Sequence, residues 1–121
     1  MRLFALRGAI SVDRNDAKDI LDATTALMAA IMERNALAPK DVISCIFTAT
    51  NDLNAEFPAV AARAVGFDDV PLLCAREIAV PRSLPRVIRV LIHYYAEEGH
   101  EPKHVYLGEA RGLRTDLQSA Q

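Results

Sequence analysis

Residues 3–12, LFALRGAISV, alternate between a strongly apolar set (Phe4, Leu6, Ile10, Val12) and a second set in which Arg7 stands with Leu3, Ala5 and Ala9. A period of two predicts a β-strand with one buried face and places Arg7 on the other. The period then lengthens. In DRNDAKDILDATTALMAAIMERNAL, residues 13–37, Ile20, Leu21, Thr24, Leu27, Met28 and Ile31 recur at helical spacing. Asp13 or Asn15 can cap that helix, Asp16 and Asp19 suit its positive end, and Asn35 can close it. APKD turns the chain into VISCIFTAT, a second strand rich in β-branched residues. After a loop, NDLNAEF, the stretch PAVAARAVG carries Pro58 at a first helical position and Gly66 just past the end, which predicts a second helix. VPLLC, residues 70–74, reads as a short strand.

RVIRVLIHYY is ambiguous. A helix would set Arg86, Arg89 and His93 on one polar face; a strand would set Ile88, Val90 and Ile92 toward the core with Arg89 opposite. Four β-branched residues within six positions tilt the reading to a strand. HVYLGEA is a last short strand, and residues 112–121 form a polar C-terminal tail that could move. The order β-α-β-α-β-β-β predicts one α+β (mixed α/β) domain over residues 1–121, a mixed sheet with its helices packed on one face. The other face then carries Arg7 and Arg89 among small apolar residues. Such a half-apolar face needs a partner, often another copy of the chain.

Composition narrows the function classes. The chain has 121 residues, 51% hydrophobic and 25% charged, with a formal net charge of −2. It has enough length for a core without staples, and its charge gives no general attraction to nucleic acid or to an anionic membrane. An anionic ligand must therefore be held by local cations. No apolar stretch approaches the roughly 18–20 residues of a membrane span, and the start MRLFALRGAI lacks a signal-peptide pattern. Cys45 and Cys74 make neither a disulfide framework nor a metal-ligand spacing, which fits a reducing cytoplasm.

Within VIRVLI, Arg89 interrupts an apolar run, and arginine is rarely buried without a partner. Arg7, Arg63, Arg89 and Arg114 come from four separate segments. Each alone reads as a surface residue. Together they would suit a small anion with two carboxylates, because guanidinium binds carboxylate bidentately, each such bond contributing roughly 1.5–3 kcal/mol. Glu77 is either a solvated strand residue or a buried hydrogen-bond acceptor. Cys74 has no nearby histidine and reads as a structural thiol rather than a nucleophile. Tyr106 reads first as a sheet residue. His93, His100 and His104 form no triad or metal pattern, and no glycine-rich phosphate loop is present.

Five stretches, LRGAI, ATNDLNAEFPAVAAR, VPLLCAREI, RVIRVLIH and HVYLGEARGLRTDL, together resemble the monofunctional AroH-class chorismate mutases, in order and over about residues 2–117. The resemblance implies a pseudo α/β-barrel homotrimer with active sites at the subunit interfaces. The implied activity is the cofactor-free Claisen rearrangement of chorismate to prephenate, on the route to phenylalanine and tyrosine. By matching position, Arg89 would contact the breaking ether oxygen and a carboxylate, Glu77 the substrate hydroxyl, and Arg7 a carboxylate. Tyr106 would supply a phenol hydrogen bond, and Cys74 a thiol lining the pocket beside Glu77. Phe57, Ala59 and Arg63 would form the neighbouring subunit's wall, and Leu113 and Arg114 the tail over the mouth. Val60 departs from the pattern, standing where some members carry a lysine.

The residue types suit that chemistry. Negative charge grows on the ether oxygen as the C–O bond stretches, and a fixed cation there favours the transition state over the ground state. Holding the diaxial conformer is a positioning effect. No acid, base, nucleophile or metal is required. The rival reading is a non-catalytic trimeric module binding a small carboxylate, since related trimeric α/β architectures such as the Rid-type imine deaminases show that fold does not fix function. The joint presence of Arg7, Glu77 and Arg89 favours the mutase.

Overall fold

The computed structural model describes residues 1–113. Arg114 and the rest of the expected tail lie outside the described residues. The alternating N-terminal segment forms strand β1, Arg2–Ser11. Phe4, Leu6 and Ile10 are buried on one side, while Leu3 and Ala5 are exposed and Arg7 half-buried on the other. Helix α1 spans Ala17–Asn35 and buries Ile20, Thr24, Leu27, Met28 and Ile31, with Leu21 only half-buried at the edge of the stripe. Its cap is Asp16, whose side chain accepts the Asp19 N–H at 3.1 Å, rather than Asp13 or Asn15. Asn15 is engaged elsewhere: its Oδ1 accepts the N–H groups of Asn54 and Ala55. At the other end Ala36 is left-handed (φ 49°) and Asn35 donates to the Ile31 and Lys103 carbonyls, each at 3.0 Å.

Strand β2, Val42–Ala49, follows a short 3-10 turn at Pro39–Asp41. Helix α2 is only Pro58–Ala62 and widens into a π-type turn, Arg63–Phe67, in which Gly66 has φ 109°. Strand β3 runs Leu72–Arg76, β4 Val87–Ala96 and β5 Val105–Leu107. The ambiguous RVIRVLIHYY segment is thus a strand. The last predicted strand is shorter than HVYLGEA suggests, because Gly108 turns the chain at φ 61° into a 3-10 turn, Gly108–Gly112.

The strand order is β3-β2-β4-β1-β5. β4 is antiparallel to both β1 and β2, and the edge strands β3 and β5 run parallel to their neighbours. This is the mixed α+β architecture that the hydrophobic pattern predicts. Both helices pack on one face, around a core containing Leu6, Ile20, Leu27, Phe47, Ala62, Ile92 and Tyr94. Gly8 permits the close approach of α1 to β1, since a Cβ there would lie 2.9 Å from Ile31 Cδ1. The opposite face remains open over much of its area and exposes Leu3, Leu73 and Tyr95. Ala9 and Val87 are exceptions on that face, buried in a small second cluster with Ala110, against which Leu84, Tyr106 and Leu113 pack.

Candidate active site

Arg89 occupies the middle of the open face because β4 is the central strand and position 89 has the opposite parity to Ile88, Val90 and Ile92. Across the ladders it stands opposite Thr48 of β2 and Ala9 of β1, and Ala9 in turn is opposite Tyr106 of β5. Facing residues in a sheet share a side, so these four residues form one row. Arg7, two residues before Ala9, rises from the same face opposite Leu91. Arg7, Ile46, Thr48, Arg89 and Leu91 line a depression of about 350 Å³.

The negative group is Glu77, immediately after β3. Its Oε1 accepts from Arg89 Nη1 at 3.2 Å and its Oε2 from the Thr48 hydroxyl at 2.7 Å. The carboxylate side chain is 13% exposed and the guanidinium side chain 36%. The carboxylate is therefore the acceptor the sequence left as one of two readings. One Arg89 nitrogen is taken by Glu77 and the side chain still reaches solvent, where further donors can meet an anion. The Tyr106 hydroxyl is buried and has no hydrogen-bond partner among the described residues. A buried unpaired hydroxyl is costly.

Arg7 is fixed through its backbone. Its N–H donates to His104 Nδ1 at 3.0 Å, just before the β1–β5 ladder begins at Gly8 and Val105. Burial, and secondarily the nearby Arg7 charge, hold the His104 imidazole below the usual histidine range, favouring the neutral ring that accepts this bond. The segment after Glu77 is braced where it enters β4. Both Asp52 carboxylate oxygens accept the Arg86 N–H at 3.1 Å, with Arg86 at φ 51°.

Cys74, Phe57, Ala59 and Arg63 lie outside the Arg89 depression of this chain. Cys74 stands opposite Phe47 and packs against the helix-side core, because it alternates with Ala75, the neighbour of Thr48. It lines a cleft of about 430 Å³ with Leu53, Phe57, Pro58 and Arg76. Cys45 is buried, its thiol pushed up to about 12 mainly by burial, and both cysteines are free. Phe57 is 67% exposed, Ala59 is buried and Arg63 is exposed. None of these three lines the depression at Arg89 or the groove beside Glu77. Val60 is half-buried. Leu113 packs on the Ala9 cluster and donates its N–H to the Ala110 carbonyl at 2.9 Å. Sequence reasoning missed Thr48 and His104. The available signal for Thr48 was its parity in VISCIFTAT, opposite to that of Cys45 and Phe47.

Two cations, a fixed carboxylate and an unpaired phenol on one sheet face suit a small polyanion that also carries a hydroxyl. The sequence profile described as chorismate mutase type I matches residues 3–117. The chain belongs to that family. It is 47% identical to the chorismate mutase AroH of Thermus thermophilus over 118 residues, covering 96% of this chain and 97% of the relative. It is 37% identical to the chorismate mutase AroH of Bacillus subtilis (strain 168) over 119 residues, covering 97% and 94%. Among solved structures, a chorismate mutase from Clostridium thermocellum superposes with a TM-score of 0.87 at 44% identity, covering 91% of this chain and 99% of that one.

Proposed function

We propose that this chain catalyses the rearrangement of chorismate to prephenate, in aromatic amino acid biosynthesis, by electrostatic stabilisation and conformational restriction. The observation that carries the mechanism is the open-face pair of Arg89 and Glu77, 3.2 Å apart, with Arg7 in the same depression. Arg89 meets the ether oxygen as negative charge develops on it. A preorganised donor there lowers the barrier because it binds the transition state more tightly than the substrate. Glu77 accepts the substrate hydroxyl, Arg7 pairs with a carboxylate, and Tyr106 donates its unpaired hydroxyl. Together they hold the reactive conformer so that the two ends of the molecule meet. No covalent or proton-transfer step by a side chain is needed.

The active unit is a homotrimer of one-domain subunits whose sites lie at the interfaces. Support comes from the exposed apolar residues of the open face and from Phe57, which is exposed and lies outside its own chain's Arg89 depression. In that assembly Phe57, Ala59 and Arg63 of one subunit complete the site built on Arg89 of the next, with Leu113 near the mouth. The two free thiols support a cytoplasmic location.

The test is the loss of chorismate absorbance on adding purified protein, with and without a chelator, with product identified as prephenate. Conversion that survives the chelator supports the proposal. A well-folded protein that binds chorismate without converting it would instead be a carboxylate-binding module.

A further inference from the structure

Glu77 is held by two consecutive residues of β2. Its N–H donates to the Ala49 carbonyl at 3.0 Å, carrying the parallel β2–β3 pairing one residue beyond Arg76. Its carboxylate takes the hydroxyl of Thr48 on Oε2 at 2.7 Å and Arg89 on Oε1 at 3.2 Å. Thr48 and Arg89 are themselves ladder partners, so both donors rise from adjacent points of the rigid part of the sheet. Threonine is branched at Cβ and stiff at χ1, which fixes where its hydroxyl can be.

This arrangement decides between two ways an arginine and a carboxylate can meet. Unconstrained, the planar guanidinium and carboxylate favour a bidentate fork, two parallel N–H···O bonds. Here Thr48 occupies Oε2 and the contact with Arg89 is made by a single nitrogen. A carboxylate oxygen has two acceptor positions, so both oxygens of Glu77 retain capacity for a further donor. We propose that Thr48 is a positioning residue for the reaction: its hydroxyl holds Glu77 out of a bidentate clamp on Arg89. The remaining guanidinium donors are thereby left for the ether oxygen, and Glu77 faces the substrate hydroxyl. The inference rests on the reading of Glu77 and Arg89 given above and adds a residue that acts by orienting Glu77.

The test is a kinetic cycle on the intact enzyme with chorismate, using Thr48→Val, Thr48→Ser, Glu77→Ala and the double variant Thr48→Val/Glu77→Ala. Valine matches threonine in shape and suits a strand, and thermal melting checks that each variant is folded. Thr48→Val is expected to lower kcat/KM about tenfold, mainly through kcat, the scale of one hydrogen bond to a charged group. Thr48→Ser should stay within about threefold of wild type, and in the Glu77→Ala background Thr48→Val should cost less than about twofold. The inference is overturned by an unchanged Thr48→Val, by Thr48→Ser losing as much as Thr48→Val, or by equal losses in both backgrounds. Wild-type turnover by Glu77→Ala would overturn the role of Glu77 itself, a distinct result.

Discussion

Arg89 and Glu77 form an ion pair at 3.2 Å although one is the third residue of β4 and the other lies just past the end of β3, with β2 between those strands. The contact exists because Glu77 stays tied to β2 through Ala49 and Thr48. The pair is partly open to solvent, which sets its contribution to stability low and leaves its main role to the site.

Glu77→Gln should therefore change equilibrium stability by no more than about 1 kcal/mol, the usual range for a solvent-accessible pair. It should lower kcat/KM at least tenfold by weakening the acceptor for the substrate hydroxyl. Urea unfolding and steady-state kinetics on the same preparation separate the two effects.

His104 gives a pH dependence with a defined sign. Its folded pKa lies below the unfolded value, so the unfolded chain binds the proton more readily. The stability it contributes is present above about pH 6.5, the reference value for histidine, and is lost as pH falls from there through the depressed folded pKa. Protonation removes the acceptor of the Arg7 N–H and adds charge beside Arg7. Thermal melts across pH 5–8 should show this acid-side loss in wild type and a smaller one in His104→Gln, where that titration is absent.

Gly8→Ala should destabilise the protein by about 1–3 kcal/mol. The new Cβ would lie 2.9 Å from Ile31 Cδ1 and 3.2 Å from Leu27 Cδ1, pushing α1 off β1. The midpoint of denaturant unfolding reads this directly.

Asp16→Ala should cost about 1 kcal/mol by removing the α1 cap. Asp13→Ala should cost little by comparison. Paired melts of the two variants check the cap assignment.

Much of this fold is legible in the hydrophobic pattern, because β1, α1 and β4 each bury one regular face. The β-branched run in VIRVLI resolved the strand from the helix, and Arg89 was conspicuous as the charge within it. What the pattern missed depends on contacts remote in sequence. Asp16 rather than Asp13 or Asn15 caps α1, because Asn15 is held by the loop at Asn54 and Ala55. Ala9 is buried by the 3-10 turn near Ala110, although parity puts it on the open face. Thr48 and His104 act through partners 29 and 97 positions away, which no local window contains. Cys74 lies on the helix side through strand parity, a feature the family resemblance did not convey.

The most direct test of the account is the turnover of Arg89→Ala in a preparation whose fold and assembly match wild type. Losing a preorganised donor at the developing oxyanion predicts a fall in kcat of about 10²–10³-fold, with Arg89→Lys intermediate because a point charge replaces the planar fork. An Arg89→Ala enzyme that keeps more than about a tenth of wild-type turnover would contradict the central role of Arg89, since that loss is far smaller than removal of such a donor requires.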